Sequence, residues 1–206
     1  MNDPILLKRI IISTPTAKIY QRLGFKKATS SLTPKAKKET DFHIDAAASL
    51  ISPRGSFLRL SIHNNSNGKV SFVGGITFHS KKLSAFLRNC KEAVLLGATA
   101  GNQIMEAIKE KSAQGDLQAA VVYDATASEM ADAALDWIMD YINQLIRRER
   151  KSLLPRRFSA GYADFDLSNQ KIIYQLLALE KISVHITNEY ILLPEKSVTA
   201  VSGICG

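Results

Sequence analysis

The segment Arg157-Phe158-Ser159-Ala160-Gly161-Tyr162-Ala163-Asp164-Phe165-Asp166-Leu167 gathers an arginine, a glycine-bearing turn and a tyrosine on what reads as a connector. Connectors held by a rigid scaffold carry binding residues more often than the elements they join. A guanidinium grips a carboxylate through two parallel hydrogen bonds, and a tyrosine ring offers a flat apolar face with a hydroxyl at its tip. Gly161 permits a positive φ or a close backbone approach. These residue types suit a small ligand that carries a carboxylate and a flat, partly polar group. Taken alone, the same residues also fit a surface arginine, a turn glycine and a core tyrosine.

Helical patterns flank this connector. Upstream, Ala127, Met130, Ala131, Ala134, Trp137, Ile138, Tyr141, Ile142 and Leu145 recur every three or four residues and predict an amphipathic helix over about residues 127–150. Thr126 and Glu129 stand at capping-box spacing at its start. Asp132 lies off the apolar stripe, where it meets Arg157 or a ligand amine, or simply faces solvent. Downstream, Ser168 is placed to cap a last helix whose face is Ile172, Ile173, Leu176, Leu177 and Leu179.

The remaining chain supplies a sheet. Residues 57–62 alternate at period two, turn through residues 64–68 and return over 69–73 as a hairpin, and Gly74-Gly75 breaks the chain before a strand over 76–79. Residues 93–97 and 119–123 are short continuous apolar runs and read as buried strands, with a helix between them that Gly115 ends. Asp124, closing the second run, then reads as charge compensation at a helix N-terminus. Residues 190–193 and 197–202 finish the sheet, and Thr14-Pro15 and Thr33-Pro34 open two helices near the N-terminus. The predicted fold class is α+β (mixed α/β): a single domain with a central mixed, largely antiparallel sheet flanked by helices. Residues 1–54 are read as an N-terminal helical segment packed on a main domain over residues 55–206.

With 206 residues and 46% apolar content, the chain can bury a substantial core. No apolar run approaches the ~18 residues of a membrane span, and the first residues lack the order of a signal peptide, so a soluble, cytoplasmic protein is expected. Cys90 and Cys205 make a single possible pair rather than a disulfide framework, and no Cys/His spacing fits a metal site. The net charge of +8 favours an acidic partner. The basic residues form small clusters, among them Lys26-Lys27, Lys81-Lys82 and residues 147–151, and no nucleic-acid motif accompanies them. Neither nucleic acid nor a membrane is an expected partner.

Three segments in order resemble one family. Arg157 stands five positions before Tyr162, with Gly161 directly before the tyrosine. This resembles the S-adenosylmethionine-binding motif of the activation (reactivation) domain of cobalamin-dependent methionine synthase. It is closer still to the short, free-standing members, which read roughly Arg-Phe/Tyr-Ser-Pro-Gly-Tyr-Gly-Asp. Residues 90–101 and 119–128 resemble the family's pair of apolar strands, each leading into a helix, and residues 175–181 and 193–198 its last helix and final strand. The resemblance spans residues 85–203 and implies an activation-domain-like core.

The resemblance implies a module for methionine biosynthesis that supports reductive remethylation of an oxidised corrinoid, cob(II)alamin, in a cobalamin-dependent methyltransferase such as methionine synthase. In the family, an electron from flavodoxin or another acidic donor regenerates cob(I), which takes a methyl group from S-adenosylmethionine held by this domain. The module's task is positioning, so no catalytic residue is implied. Arg157 would grip the methionyl carboxylate, and Tyr162 would pack beside the sulfonium. The backbone of Ser159, Ala160 and Gly161 would hydrogen-bond to the ligand, and Asp132 occupies a position where the family prefers glutamate. Cobalamin would enter only through a partner, a cobalamin-binding methyltransferase or corrinoid protein, because no Asp-x-His-x-x-Gly motif occurs. Ala160, Ala163 and Asp166 stand where the family has prolines or other small residues. Each missing proline loosens a loop by about 0.4–1 kcal/mol. These departures imply the alternative, a degenerate member that docks on a corrinoid protein without binding S-adenosylmethionine.

Overall fold

The computed structural model describes residues 3–25 and 32–206, so the Lys26-Lys27 cluster lies outside the described residues. The elements run β1 (Ile5–Leu7), α1 (Thr16–Arg22), α2 (Pro34–Ser49), β2 (Arg54–Ser66), β3 (Lys69–Phe72), β4 (Thr77–His79), α3 (Lys81–Phe86), β5 (Glu92–Thr99), α4 (Gln103–Ala113), α5 (Leu117–Ile146), β6 (Ser152–Leu153), α6 (Asn169–Leu176), β7 (His185–Ile186), β8 (Leu192–Leu193) and β9 (Ser197–Cys205). The main sheet has the order β4-β3-β2-β5-β9-β6, with β1 paired to β2 off that path. Every ladder in it is antiparallel. β2 is long enough to take two neighbours in succession, β1 opposite residues 55–57 and β3 opposite residues 62–66.

Period-two alternation sorts the side chains of the central strands onto two cores. Leu58, Leu60, Leu95 and Val201 pack with Leu83 and Leu87 around α3 and with Ile173 and Leu177 around α6. Phe57, Val94, Leu96 and Ala200 pack against Leu135, Ile138 and Ile142 of α5. Each fully buried aliphatic side chain stabilises the fold by about 1.5–3 kcal/mol relative to exposure, so a sheet covered on both faces is the source of most of the apolar gain. A third cluster joins α2, α4 and α5 through Ala47, Ile51, Ile104, Tyr123 and Met130. A smaller one holds α1 against α2 and α5 through Ile19, Ile44 and Val122.

Residues 119–123 are not a strand. They lie in the first turns of α5, which runs 30 residues from its N-cap Asp116, whose carboxylate accepts from the amide of Ala119. A five-residue apolar run reads equally as a buried strand or as part of a helix buried on several sides. Here Ala119 and Tyr123 face α2 and α4, while Val122 faces α1. Three dependent readings change with it. Thr126 sits inside the helix and donates to the Val122 carbonyl at 2.7 Å rather than capping a new helix. Asp124 is a mid-helix residue paired with Lys196 at 2.6 Å. The second of the two strand-to-helix units implied by the resemblance is therefore all helix. Residues 192–193 also leave the main sheet, pairing with β7 in a small ribbon, and β9 alone completes the centre.

Cys90 precedes β5 and Cys205 ends β9, and the pairing of Glu92 with Ile204 brings them together in a disulfide with Cα atoms 4.7 Å apart. No helix among the described residues is long and apolar enough to cross a membrane.

Candidate functional site

The chain leaving β6 continues along the edge of β9. Leu154 donates to the Gly203 carbonyl at 2.8 Å, and Phe158 and Val201 exchange both backbone hydrogen bonds, at 2.8 and 2.7 Å. That bridge keeps Phe158 extended, and an extended backbone sends successive side chains to opposite faces. Phe158 turns toward the α3/α6 side, where it meets Phe86 and the fully buried Phe165. Arg157 turns the other way, onto α5.

There the guanidinium is held by two carboxylates one helical turn apart. One terminal nitrogen donates to Asp136 and lies 3.8 Å from the Met139 sulfur, and the other donates to Asp132 at 3.2 Å. From the opposite side α1 brings Lys18 to Asp136 at 3.1 Å, Arg22 to Glu129 at 2.5 Å and, at 3.9 Å, to Asp132. Three acids at positions 129, 132 and 136 of one helix face are thus met by three cations from distant parts of the chain. Burial pushes the Asp136 carboxyl up, but hydrogen bonds and charge from Arg157 and Lys18 outweigh it and hold its pKa below the ordinary aspartate value.

The turn that follows is tight. The Gly161 amide donates to the Phe165 carbonyl at 2.7 Å, Tyr162 to that of Ser159 at 3.2 Å, and Phe165 to that of Tyr162 at 3.0 Å. Gly161 has φ +84°, and a Cβ there would stand 3.2 Å from a Leu167 methyl, so glycine answers both to conformation and to space. The Ser159 hydroxyl donates to the Thr199 carbonyl at 2.8 Å and thereby pins the turn to β9. Ala160 packs partly buried on the α3/α6 core. Tyr162 is 66% exposed, with its ring edge-on to Phe158 at 5.4 Å. Asp164 clamps the far side, accepting from the Ser80 hydroxyl at 2.5 Å and from the amides of Lys81 at 2.7 Å and Lys82 at 3.2 Å. The Ser80 hydrogen bond holds the Asp164 carboxyl below the usual range against desolvation, with the amides of Lys82 and Lys81 adding to it.

The structure therefore brings Arg157 to Asp132 and gathers Ser159, Ala160, Gly161 and Tyr162 in one turn. It does not bring the Tyr162 ring onto Arg157, because the two project to opposite sides of the extended segment around Phe158. Sequence reasoning missed Asp136, Lys18, Arg22 and Glu129 at the charge cluster and the clamp at Asp164. The i, i+3, i+7 spacing of Glu129, Asp132 and Asp136 marks one helix face and was the available signal.

Chemically, a guanidinium bordered by carboxylates suits the head group of an amino acid, with a cation for its carboxylate and an anion for its ammonium. An exposed aromatic ring on a clamped turn supplies the flat surface that a ring-bearing ligand requires.

No protein-family model and no curated protein matches the chain. Solved structures do match: the chain is similar to the crystal structure of the MetH reactivation domain bound to AdoHcy, with a TM-score of 0.68 and 13% sequence identity over 92% of this chain and 72% of that one. The protein has the α+β fold of that reactivation domain, a curled antiparallel sheet flanked by helices.

Proposed function

We propose that the chain is an S-adenosylmethionine-binding reactivation module that supports reductive remethylation of an oxidised corrinoid in a cobalamin-dependent methyltransferase such as methionine synthase. The observation that carries this reading is the fold likeness over nearly the whole chain to a reactivation domain bound to AdoHcy. The residues present fit the charged end of such a ligand: Arg157 and Asp132 match the two charges of a methionyl head, whereas the exposed Tyr162 ring lies on the other side of the segment, against Phe158. When bound, S-adenosylmethionine supplies a methyl group on a sulfonium, an already activated leaving arrangement.

The chain's own residues bind and orient. Arg157 exchanges Asp136 for the ligand carboxylate and keeps Asp132 beside the ammonium. The turn at Gly161 lets the backbone approach the ligand. The clamp of Asp164 on Ser80 and the pin of Ser159 on β9 fix the turn before binding, which lowers the ordering cost at binding. Cobalamin is carried by a partner, a methyltransferase or corrinoid protein, and the net charge of +8 supports an acidic electron donor such as flavodoxin.

Calorimetric titration of the full chain with S-adenosylmethionine and with AdoHcy tests the reading. Saturable binding is expected, weakened about tenfold or more in Arg157→Ala, since 1.4 kcal/mol is a factor of ten. Absence of heat up to millimolar ligand in the natural chain would sink it. A second reading, a docking module that binds no S-adenosylmethionine, is favoured by one observation: Arg157 already has two carboxylate partners. It predicts capture of a corrinoid protein together with no ligand heat.

A further inference from the structure

A cleft of about 510 Å3 opens between the segment joining β1 to α1, the C-terminal turn of α2 and the middle of α5. Its floor is apolar: Ile12, Ile51 and Met130 belong to the margin of the helical core, and Ala48 lines the cleft beside them. Its rim is cationic, formed by Lys8 and Arg9, both exposed. Among the described residues neither has a carboxylate partner. No acidic residue lines the cleft. Ile11, beside the two cations, is 72% exposed.

The volume falls within the range of small-molecule sites, roughly 300–1,000 Å3. An apolar floor rewards an apolar body, and two cations without internal partners reward an anion. A neutral apolar molecule answers only the floor, and an inorganic anion only the rim. We propose that this cleft binds a small amphiphilic carboxylate, an acyl chain ending in an anionic group, at a site separate from the Arg157 cluster. Arg157, Asp132 and Asp136 are absent from its lining, so the inference does not rest on the S-adenosylmethionine reading.

Decanoate is the test ligand, followed by amide chemical shifts of the full chain. Saturable shifts confined to residues 8–12, 48–53 and 130 are expected. Lys8→Ala/Arg9→Ala should weaken binding about tenfold, the scale of a charge-assisted contact at a partly open site. Lys109→Ala/Lys171→Ala, which removes the same charge from exposed residues elsewhere, should leave it unchanged. Decanol and acetate should each bind more weakly than decanoate. Shifts centred outside the cleft, equal loss in both double variants, or no saturation below the micellar concentration of decanoate would overturn the proposal.

Discussion

The Arg157 guanidinium donates to the Asp136 carboxylate across 21 residues of sequence, tying the edge segment beside β9 to the middle of α5. Lys18 reaches the same carboxylate from α1, so one aspartate links the candidate ligand turn to the N-terminal helix.

That link carries a pH dependence of definite sign. The folded pKa of Asp136 is depressed, so its stabilising contribution is present above the unfolded value, about 3.9, and is lost as pH falls through the lower folded value. Protection factors of the α1 amides, which correct exchange for its intrinsic pH dependence, should stay constant down to about pH 4 and fall below it. Asp136→Asn should remove that acid-side step; an unchanged step in the variant would show that other acids control α1.

Arg157→Ala leaves Asp132 and Asp136 without their shared partner. Both aspartates are more than a third exposed, and solvent screening keeps the expected loss of stability near ~1 kcal/mol by chemical denaturation. Arg157→Lys should recover most of that stability and little of the ligand affinity, because an ammonium cannot bond two acceptors in the planar geometry of a guanidinium. Equal affinity of the lysine variant would argue that charge alone serves.

Ala163 occupies the left-handed region at φ +53°. An L-residue with a Cβ costs roughly 1–2 kcal/mol there, and glycine costs little. Ala163→Gly should therefore raise the denaturation midpoint despite the added freedom of the unfolded chain. A lowered midpoint would place the turn's stability in the alanine methyl instead.

Gly55 pairs with Ala98 at the centre of the sheet and faces α5. A Cβ at this position would stand 2.5 Å from an Ile138 methyl and 2.9 Å from the Gly97 carbonyl oxygen. The carbonyl belongs to a paired strand and cannot retreat, so Gly55→Ala should destabilise by about 1–3 kcal/mol, read as a shift in the denaturation curve at unchanged slope.

Short-range pattern was enough to determine much of this protein. The alternation in β2 and β3, the apolar run of β5, the long stripe of α5 and the local spacing of Arg157, Gly161 and Tyr162 are each set by residues a few positions apart, and all were legible in the sequence. Residues 119–123 were misread because alanine, valine and tyrosine in a five-residue run satisfy a strand and a buried helix alike. The Asp116 cap and packing against α2 and α4 decide for the helix. The charge cluster depended wholly on the tertiary fold. Lys18 meets Asp136 across 118 positions and Arg22 meets Glu129 across 107, pairings with no periodicity or local geometry to announce them. The opposed directions of Arg157 and Tyr162 were decided there too, since the backbone bridge between Phe158 and Val201 is what holds that segment extended.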